Sequence, residues 1–324
     1  MKGKAFIVFL VAALLFGCRE TPEINVVLHE GTPIPSPRAC AASFVVNGQA
    51  YVFAGRDSTG KALNDLWRYD PESDTWTSLG ATPLMPRVNA TACAVDDKVY
   101  LGLGFRGKRG IDSCYFRDWW EYVPATEQWT RLADYPNAYT DKATSFSGVG
   151  ELYVGYGFFW NYRRDMFRYS VATDRWDSID VKAGQFDFPT RSFGGTGCTC
   201  RHRHFMGTGF YRYSVDWWGE LVDGTHWEKR ASVPGKSRTL AASAATDQFV
   251  YMTGGLHYGG VNTTGDVLQD IRRYDPDKDA WAYVAILPDG VYNHCCFAIG
   301  KRVYIGMGEG WDEQINHHLY WFEE

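Results

Sequence analysis

One pattern recurs five times along this chain. The segments LWRYDPESDTW, WWEYVPATEQW, MFRYSVATDRW, WWGELVDGTHW and IRRYDPDKDAW end at Trp76, Trp129, Trp176, Trp227 and Trp281, at spacings of 47 to 54 residues. Upstream of each lies an apolar run that ends in glycine: YVFAG, YLGLG, LYVGYG, FMGTG and YMTGG, with a sixth, YIGMG, near the end. A period near 50 carrying four short strand signals gives a unit too small to bury its own faces, so neighbouring units must cover one another. The composition suits such stacking, because 16% of the residues are aromatic and thirteen are tryptophan, the largest side chain available to seal one sheet against the next.

Each unit has a physical logic. First strands such as ACAASFVV and AASAATDQ are rich in small residues, as expected where inner strands crowd an axis. Second strands are apolar throughout, as expected of strands covered on both faces. Turns such as DPESD and DPDKD carry the proline and aspartate of tight hairpins. Tyr51 to Gly55, Tyr69, Asp70 and Trp76, with their recurrences along nearly all of the chain, resemble the blades of kelch-type β-propellers. The resemblance implies an all-β fold of six blades over residues 25–324. The sixth unit supplies three strands and stops, so its outer strand is expected from the N-terminal INVVLHE, with Val27 at the place of Trp76. Two departures stand out: only the fifth blade has a double glycine, Gly254–Gly255, and the fourth lacks the tyrosine.

In a four-stranded blade the connection from strand two to strand three shares one end with the crossover to the next blade. Turns at the opposite end are short here, VNGQ and DDK among them. At the shared end the loops are long and dense with Phe, Tyr, Trp, Arg and His: GFRGKRGIDSCYFRD, GYGFFWNYRRD, GTGFYRYSVD, GGLHYGGVNTTGD and GEGWDEQINHH. The crossovers bring Arg38, Arg87, Arg238 and, one position out of register, Arg191 to that end, while Thr140 and Val291 hold the corresponding places in the other two blades. Such arginines either hold an acidic ligand through bidentate hydrogen bonds or tie each crossover to a neighbouring carbonyl, a common kelch use. Phe159, Trp160, Tyr162, Tyr211, His257, Tyr258 and Trp311 are candidate stacking surfaces for sugar rings on the same face, unless they pack on one another.

GCTCRHRHFMGTG, residues 197–209, sets Cys198, Cys200, His202 and His204 at every second position, as metal ligands on one strand would be. The repeat register argues otherwise. Phe205 aligns with Tyr100 and Cys198 with Cys93, which places a turn near 201–203, divides the four between two strands, and makes Cys198 a core residue at the plain end. No metal or other cofactor is expected. Kelch propellers also include copper radical oxidases resembling galactose oxidase. His257, Tyr258, His294, His317, His318 and Cys114 are the nearest candidates for such a site, but that family's motif does not map onto them.

Residues 1–17 read as an export signal: Lys2 and Lys4, an apolar run from Ala5 to Phe16, and Gly17 before Cys18. LLFGC resembles the bacterial lipobox, which implies lipidation of Cys18, a short tether over 18–24, and a location in the cell envelope, on the outer membrane, facing the periplasm or the cell surface. Loss of Lys2 and Lys4 takes the net charge from −5 to −7, which argues against a nucleic-acid partner. Seven cysteines then remain beside Cys18, an odd number for a fully paired disulfide framework. The reading adopted is a lipid-anchored, monomeric bacterial propeller that binds a glycan or a small acidic or polar ligand on its loop-rich face. Two alternatives stay open: a sugar mutarotase or epimerase resembling the sialic-acid mutarotase group, with Glu309, Asp312 or His294 beside an arginine, and a protein-interaction platform in an envelope complex.

Overall fold

The computed structural model describes residues 23–106, 114–136, 140–148, 150–159, 161–162, 165–179, 193–210, 215–220, 227–259 and 265–324. The expected leader 1–17, the expected lipidation site Cys18 and the expected tether up to residue 22 lie outside the described residues.

The repeat folds as six four-stranded antiparallel sheets. In the first, Ala42–Val46, Gln49–Phe53, Asp65–Asp70 and Thr75–Ala81 pair in chain order. The innermost strands of the six blades are Ala42–Val46, Thr91–Val95, Thr144–Ser147, Thr196–Cys200, Ala242–Ala245 and Cys295–Ile299. Each touches the next, and the last touches the first. A separate hydrophobic cluster fills each of the six blade-to-blade seams. The motif tryptophans lie in these seams, Trp76 between blades six and one and Trp281 between blades four and five.

The RYD tyrosine and the tryptophan act together. Tyr69 donates its hydroxyl proton to Asp74 at 2.7 Å, the same carboxylate accepts the N–H of Thr32 at 2.8 Å, and Trp76 Nε1 donates to the Thr32 carbonyl at 2.8 Å. Tyr169, Asp174 and Trp176 hold Ala133 in the same way, and Tyr274, Asp279 and Trp281 hold Ala231. Each of these three blades thus grips the chain as it leaves the outer strand of the blade before it. Asp74, Asp174 and Asp279 sit at φ 50°, 50° and 47°, a left-handed conformation that aspartate tolerates.

The double glycine proves to be a conformation more than a sequence. Ala54 and Gly55 both have positive φ, 58° and 96°, and so do Leu103–Gly104, Tyr156–Gly157, Thr208–Gly209, Gly254–Gly255 and Met307–Gly308. The second position is glycine in all six because a Cβ on Gly55 would stand 2.6 Å from the Ala39 carbonyl.

The N-terminal strand closes the ring, as expected, but one residue away from the expected register. His29–Gly31 pairs with Leu319–Glu323 through His29 opposite Trp321 and Gly31 opposite Leu319. Continuing that ladder puts Leu28, not Val27, opposite Phe322, the counterpart of Tyr69. Leu28 packs into the seam between blades five and six while Val27 is 70% exposed. A one-residue shift reverses the faces of a strand, so the two side chains exchange roles. Closure also involves the segment just before, where the N–H of Ile24 donates to Tyr283 O at 2.8 Å. Leu28→Ala is therefore expected to lower unfolding free energy by roughly 1–2 kcal/mol, and Val27→Ala to change it by less than about 0.5 kcal/mol, in urea unfolding.

Candidate functional site

At the loop-rich end of the ring, the arginines lie deepest. The side chains of Arg38 and Arg87 are 0% exposed and that of Arg238 is 1% exposed. Arg38 makes a two-pronged ion pair with Asp65 at 2.8 Å and donates to the Ala54 carbonyl, the residue that precedes the blade's glycine. Arg87 repeats this with Asp118 and Leu103, and Arg238 with Asp270 and Gly254. Phe116 covers the Arg87 guanidinium at 4.2 Å. Thr140 reaches the equivalent carbonyl, that of Tyr156, with its hydroxyl. Of the two roles open to these three arginines, the structure shows the tie to a carbonyl, made within the arginine's own blade and joined by a carboxylate, because a buried guanidinium needs such partners to replace its water. Burial alone would raise the Asp65 carboxyl, but the hydrogen bonds and charge of Arg38 outweigh it and hold that group below the usual carboxylate range. Arg191 lies outside the described residues.

The aromatic layer is partly packed on itself. Phe158, Phe193, Phe210 and Tyr258 follow one another across blades three to five with centroid distances of 5.5, 5.5 and 4.9 Å. Phe210 and Tyr258 border a cleft of about 150 Å³ with Ser237. Phe159 and Tyr162 lie on a short hairpin, Phe158–Phe159 against Asn161–Tyr162. Trp160 and Tyr211 are outside the described residues. His257 Nδ1 lies 2.9 Å from Ser237 Oγ, and Trp311 is 61% exposed on a separate groove between blades five and six.

At the centre lies a mouth of about 130 Å³, lined by Cys40, Asn89, Lys142, Gly194, Leu240 and Asn293 with their following residues. All six have positive φ, and they are the same position of the repeat, two residues after the arginine place. Backbone hydrogen bonds run around this ring, Asn89 N–H to Cys40 O, Cys40 N–H to Asn293 O, Asn293 N–H to Leu240 O, and Leu240 N–H to Gly194 O. Side chains at this position therefore gather at the axis.

Beside the mouth, the Glu309 side chain is buried among polar partners. Arg56 Nη2 lies 2.8 Å from its Oε2, while Asn293 Nδ2 and the Cys40 thiol donate to its Oε1 at 3.2 and 3.5 Å. Asn89 Nδ2 donates to Asp141 at 3.3 Å across the neighbouring blades. Burial pushes the Cys40 thiol up to about 12, with Lys142 pulling the other way, so Cys40 stays protonated. Burial likewise raises the Tyr292 hydroxyl, with Glu309 adding to the effect. The mouth lining thus supplies one cation, Lys142, and the amides of Asn89 and Asn293, while the Glu309–Arg56 pair stands beside it, held through Cys40 and Asn293. Glu309 was among the sequence candidates. Arg56, Cys40, Asn89, Lys142, Asp141 and Asn293 were not, although aligning the six repeats exposes Arg56 at a position where other blades have Phe105, Phe158, Phe210 and Leu256, and Asp141 at one where they have Ala39, Val88 and Phe193.

The His and Cys residues of 197–209 are not a ligand set. Thr199 stands opposite His204 and Cys200 opposite Arg203, with the turn at Arg201 and His202. Cys198 and Cys200 face the seam between blades four and five, whereas His204 lies against Phe146 and Tyr153 of blade three. They therefore cannot approach across the hairpin. Among the described residues, no three His, Cys, Asp or Glu side chains come together in a way that could hold a metal ion.

A model described as the KLHDC2/KLHL20/DRC7 Kelch-repeats domain matches residues 18–209. The chain belongs to the kelch-repeat family. It is similar to human Kelch-like protein 23, with 26% identity over 255 residues, covering 77% of this chain and 42% of that protein. It is also similar to N-acetylneuraminate epimerase of Yersinia enterocolitica, 28% identical over 148 residues, covering 44% of this chain and 33% of the relative. The chain thus spans less than half the length of these curated relatives. The solved structure of YjhT superposes with a TM-score of 0.73 at 16% identity, covering 89% of this chain and 95% of that one, which supports the fold.

Two outcomes follow. Arg87→Ala is expected to cost about 2–4 kcal/mol in urea unfolding, because the Leu103 carbonyl and the half-buried Asp118 lose their partner, and Arg87→Lys to restore little of it. A ligand role alone would leave stability unchanged. Burial also lowers His294 to about 3 and His204 to about 4, from 6.5. The unfolded chain takes up these protons first, so stability is complete above pH 6.5 and declines as the pH falls toward 4, by up to roughly 1.4 kcal/mol per unit for each histidine. Unfolding curves across that window check this, and His204→Gln should remove one share of the slope.

Proposed function

We propose that this kelch protein is a sugar mutarotase or epimerase acting on a carboxylated sugar at the central mouth. The observation that carries the reading is Glu309, a buried carboxylate at the mouth with Arg56 against it and Lys142 across the ring from Cys40. The partial sequence similarity to N-acetylneuraminate epimerase supports the substrate class.

The chemistry needs no co-reactant. Glu309 takes the proton from the anomeric hydroxyl, the bond between the anomeric carbon and the ring oxygen breaks, and the ring oxygen takes a proton back. Reclosure on the other face of the carbonyl gives the other anomer. Arg56 and Lys142 hold the sugar carboxylate, a task for which a partly exposed guanidinium is suited in a way that the buried Arg38, Arg87 and Arg238 are not. Asn89 and Asn293 supply amide donors to sugar hydroxyls, and Cys40, kept protonated, orients the Glu309 carboxylate from below.

Anomeric exchange followed by NMR on N-acetylneuraminate tests this. The wild-type protein is expected to accelerate exchange, Glu309→Gln to reduce kcat by about 100-fold or more, and Arg56→Ala to act chiefly on KM. Absence of acceleration over a panel of carboxylated sugars, or full activity in Glu309→Gln, would sink the reading.

A further inference from the structure

The same face holds a second recess that the mouth chemistry does not use. Between blades five and six a groove of about 760 Å³ opens, within the roughly 300–1,000 Å³ range of clefts that hold small ligands. Its walls come from the loop 310–318 of blade six, the short strand Asp266–Val267 of blade five and the crossover residues Asp289 and Gly290. Backbone pairing pins that loop at its base. Glu309 bridges Ile315, and the N–H of Asn316 donates to Gly308 O at 2.8 Å. Asp312 accepts the N–H of Gln314, which fixes the turn beyond Trp311. Gly290 keeps the opposite wall tight, because a Cβ there would stand 2.6 Å from the Val267 carbonyl.

We propose that this groove is a saccharide-binding subsite for uncharged pyranose rings. Trp311 supplies the stacking platform. It is 61% exposed, an unusual state for the largest apolar side chain, and it stands on the groove wall. Asp266, Asp289, Asp312 and Gln314 line the same recess and supply the acceptors and the amide that read ring hydroxyls. The lining residues include three aspartates and neither lysine nor arginine, although Lys236 pairs with Asp266 from outside at 2.6 Å. A carboxylated sugar is therefore repelled from the groove, whereas a neutral one is not. That charge is opposite to the mouth, where Arg56 and Lys142 stand.

Saturation-transfer NMR and calorimetry on the full chain test this with two probes, a panel of neutral oligosaccharides and their sialylated counterparts. The expected result is binding of a neutral saccharide that Trp311→Ala weakens at least about tenfold and Trp311→Phe largely preserves. Because Trp311 is exposed, the thermal midpoint of Trp311→Ala should match wild type, and its anomeric exchange on N-acetylneuraminate, if present in wild type, should be unchanged. The inference is overturned if no neutral saccharide binds, if Trp311→Ala binds as wild type does, or if an isolated acidic sugar competes for the groove. None of these outcomes bears on the mouth, whose test is the Glu309→Gln comparison.

Discussion

Gly308, in the last blade, donates its N–H to the carbonyl of Arg38 in the first at 2.9 Å, as Gly55 does to Arg87 one blade on. A ring built from a linear chain must make one seam between its two ends equal to the seams within it, and the repeated left-handed pair is what makes that possible. Two consecutive residues with positive φ turn the backbone so that its N–H faces the next blade. The six first positions hold Ala54, Leu103, Tyr156, Thr208, Gly254 and Met307, so the packing of the ring tolerates a side chain there even though the conformation disfavours one. The crossover carbonyl leaves no such room at the second position, and there glycine is invariant among the six blades.

The same geometry explains why the conspicuous arginines are not the site. The carbonyls of Ala54, Leu103 and Gly254 belong to that strained turn, and Arg38, Arg87 and Arg238 satisfy them while Asp65, Asp118 and Asp270 balance the charge. Leaving any one of these groups unpaired in the interior would cost more than the pair contributes. The clamp is thus a device for holding a turn. What it leaves free is the next layer up, the six residues two positions along, whose side chains meet at the axis and whose identities vary from blade to blade.

Architecture was legible because it is periodic. The tryptophan spacing rests on five comparable copies, the apolar second strands and the alignment of Cys198 with Cys93 on six, and the turn at 201–202 follows from that alignment. The seam strand lacked such a copy: INVVLHE has no tryptophan to anchor it, and the choice between Val27 and Leu28 rests on a ladder that only the paired strands define. The two roles of the arginines could not be separated in the sequence because their carboxylate partners lie 27 to 32 residues downstream, each at the start of a third strand where an aspartate reads as an ordinary turn residue. The mouth was less legible still. Cys40 and Glu309 are 269 residues apart, and nothing in their local sequences marks them as neighbours.

Position relative to the seam ties these threads together. Cys40 and Arg56 belong to blade one, Asn293 and Glu309 to blade six, so the ion pair and the hydrogen bonds that converge on Glu309 cross the seam that the N-terminal strand closes. Each of the other blades is one unbroken stretch of chain. Blade six is not: its outer strand runs on through residues 32–41 into blade one and is joined to Leu319–Glu323 by pairing alone, so alignment of the carboxylate with its cation depends on contacts made by Val26, Leu28 and His29–Gly31 at the outer edge of blade six, together with the hold of Asp74 and Trp76 on Thr32. The outer strand thus has two roles: it covers an exposed sheet edge and, through the rigidity of blade six, sets the distance between Glu309 and Arg56. A change that loosens the strand without unfolding the ring would act on the mouth first, because a buried carboxylate loses its charge compensation as soon as the two blades separate.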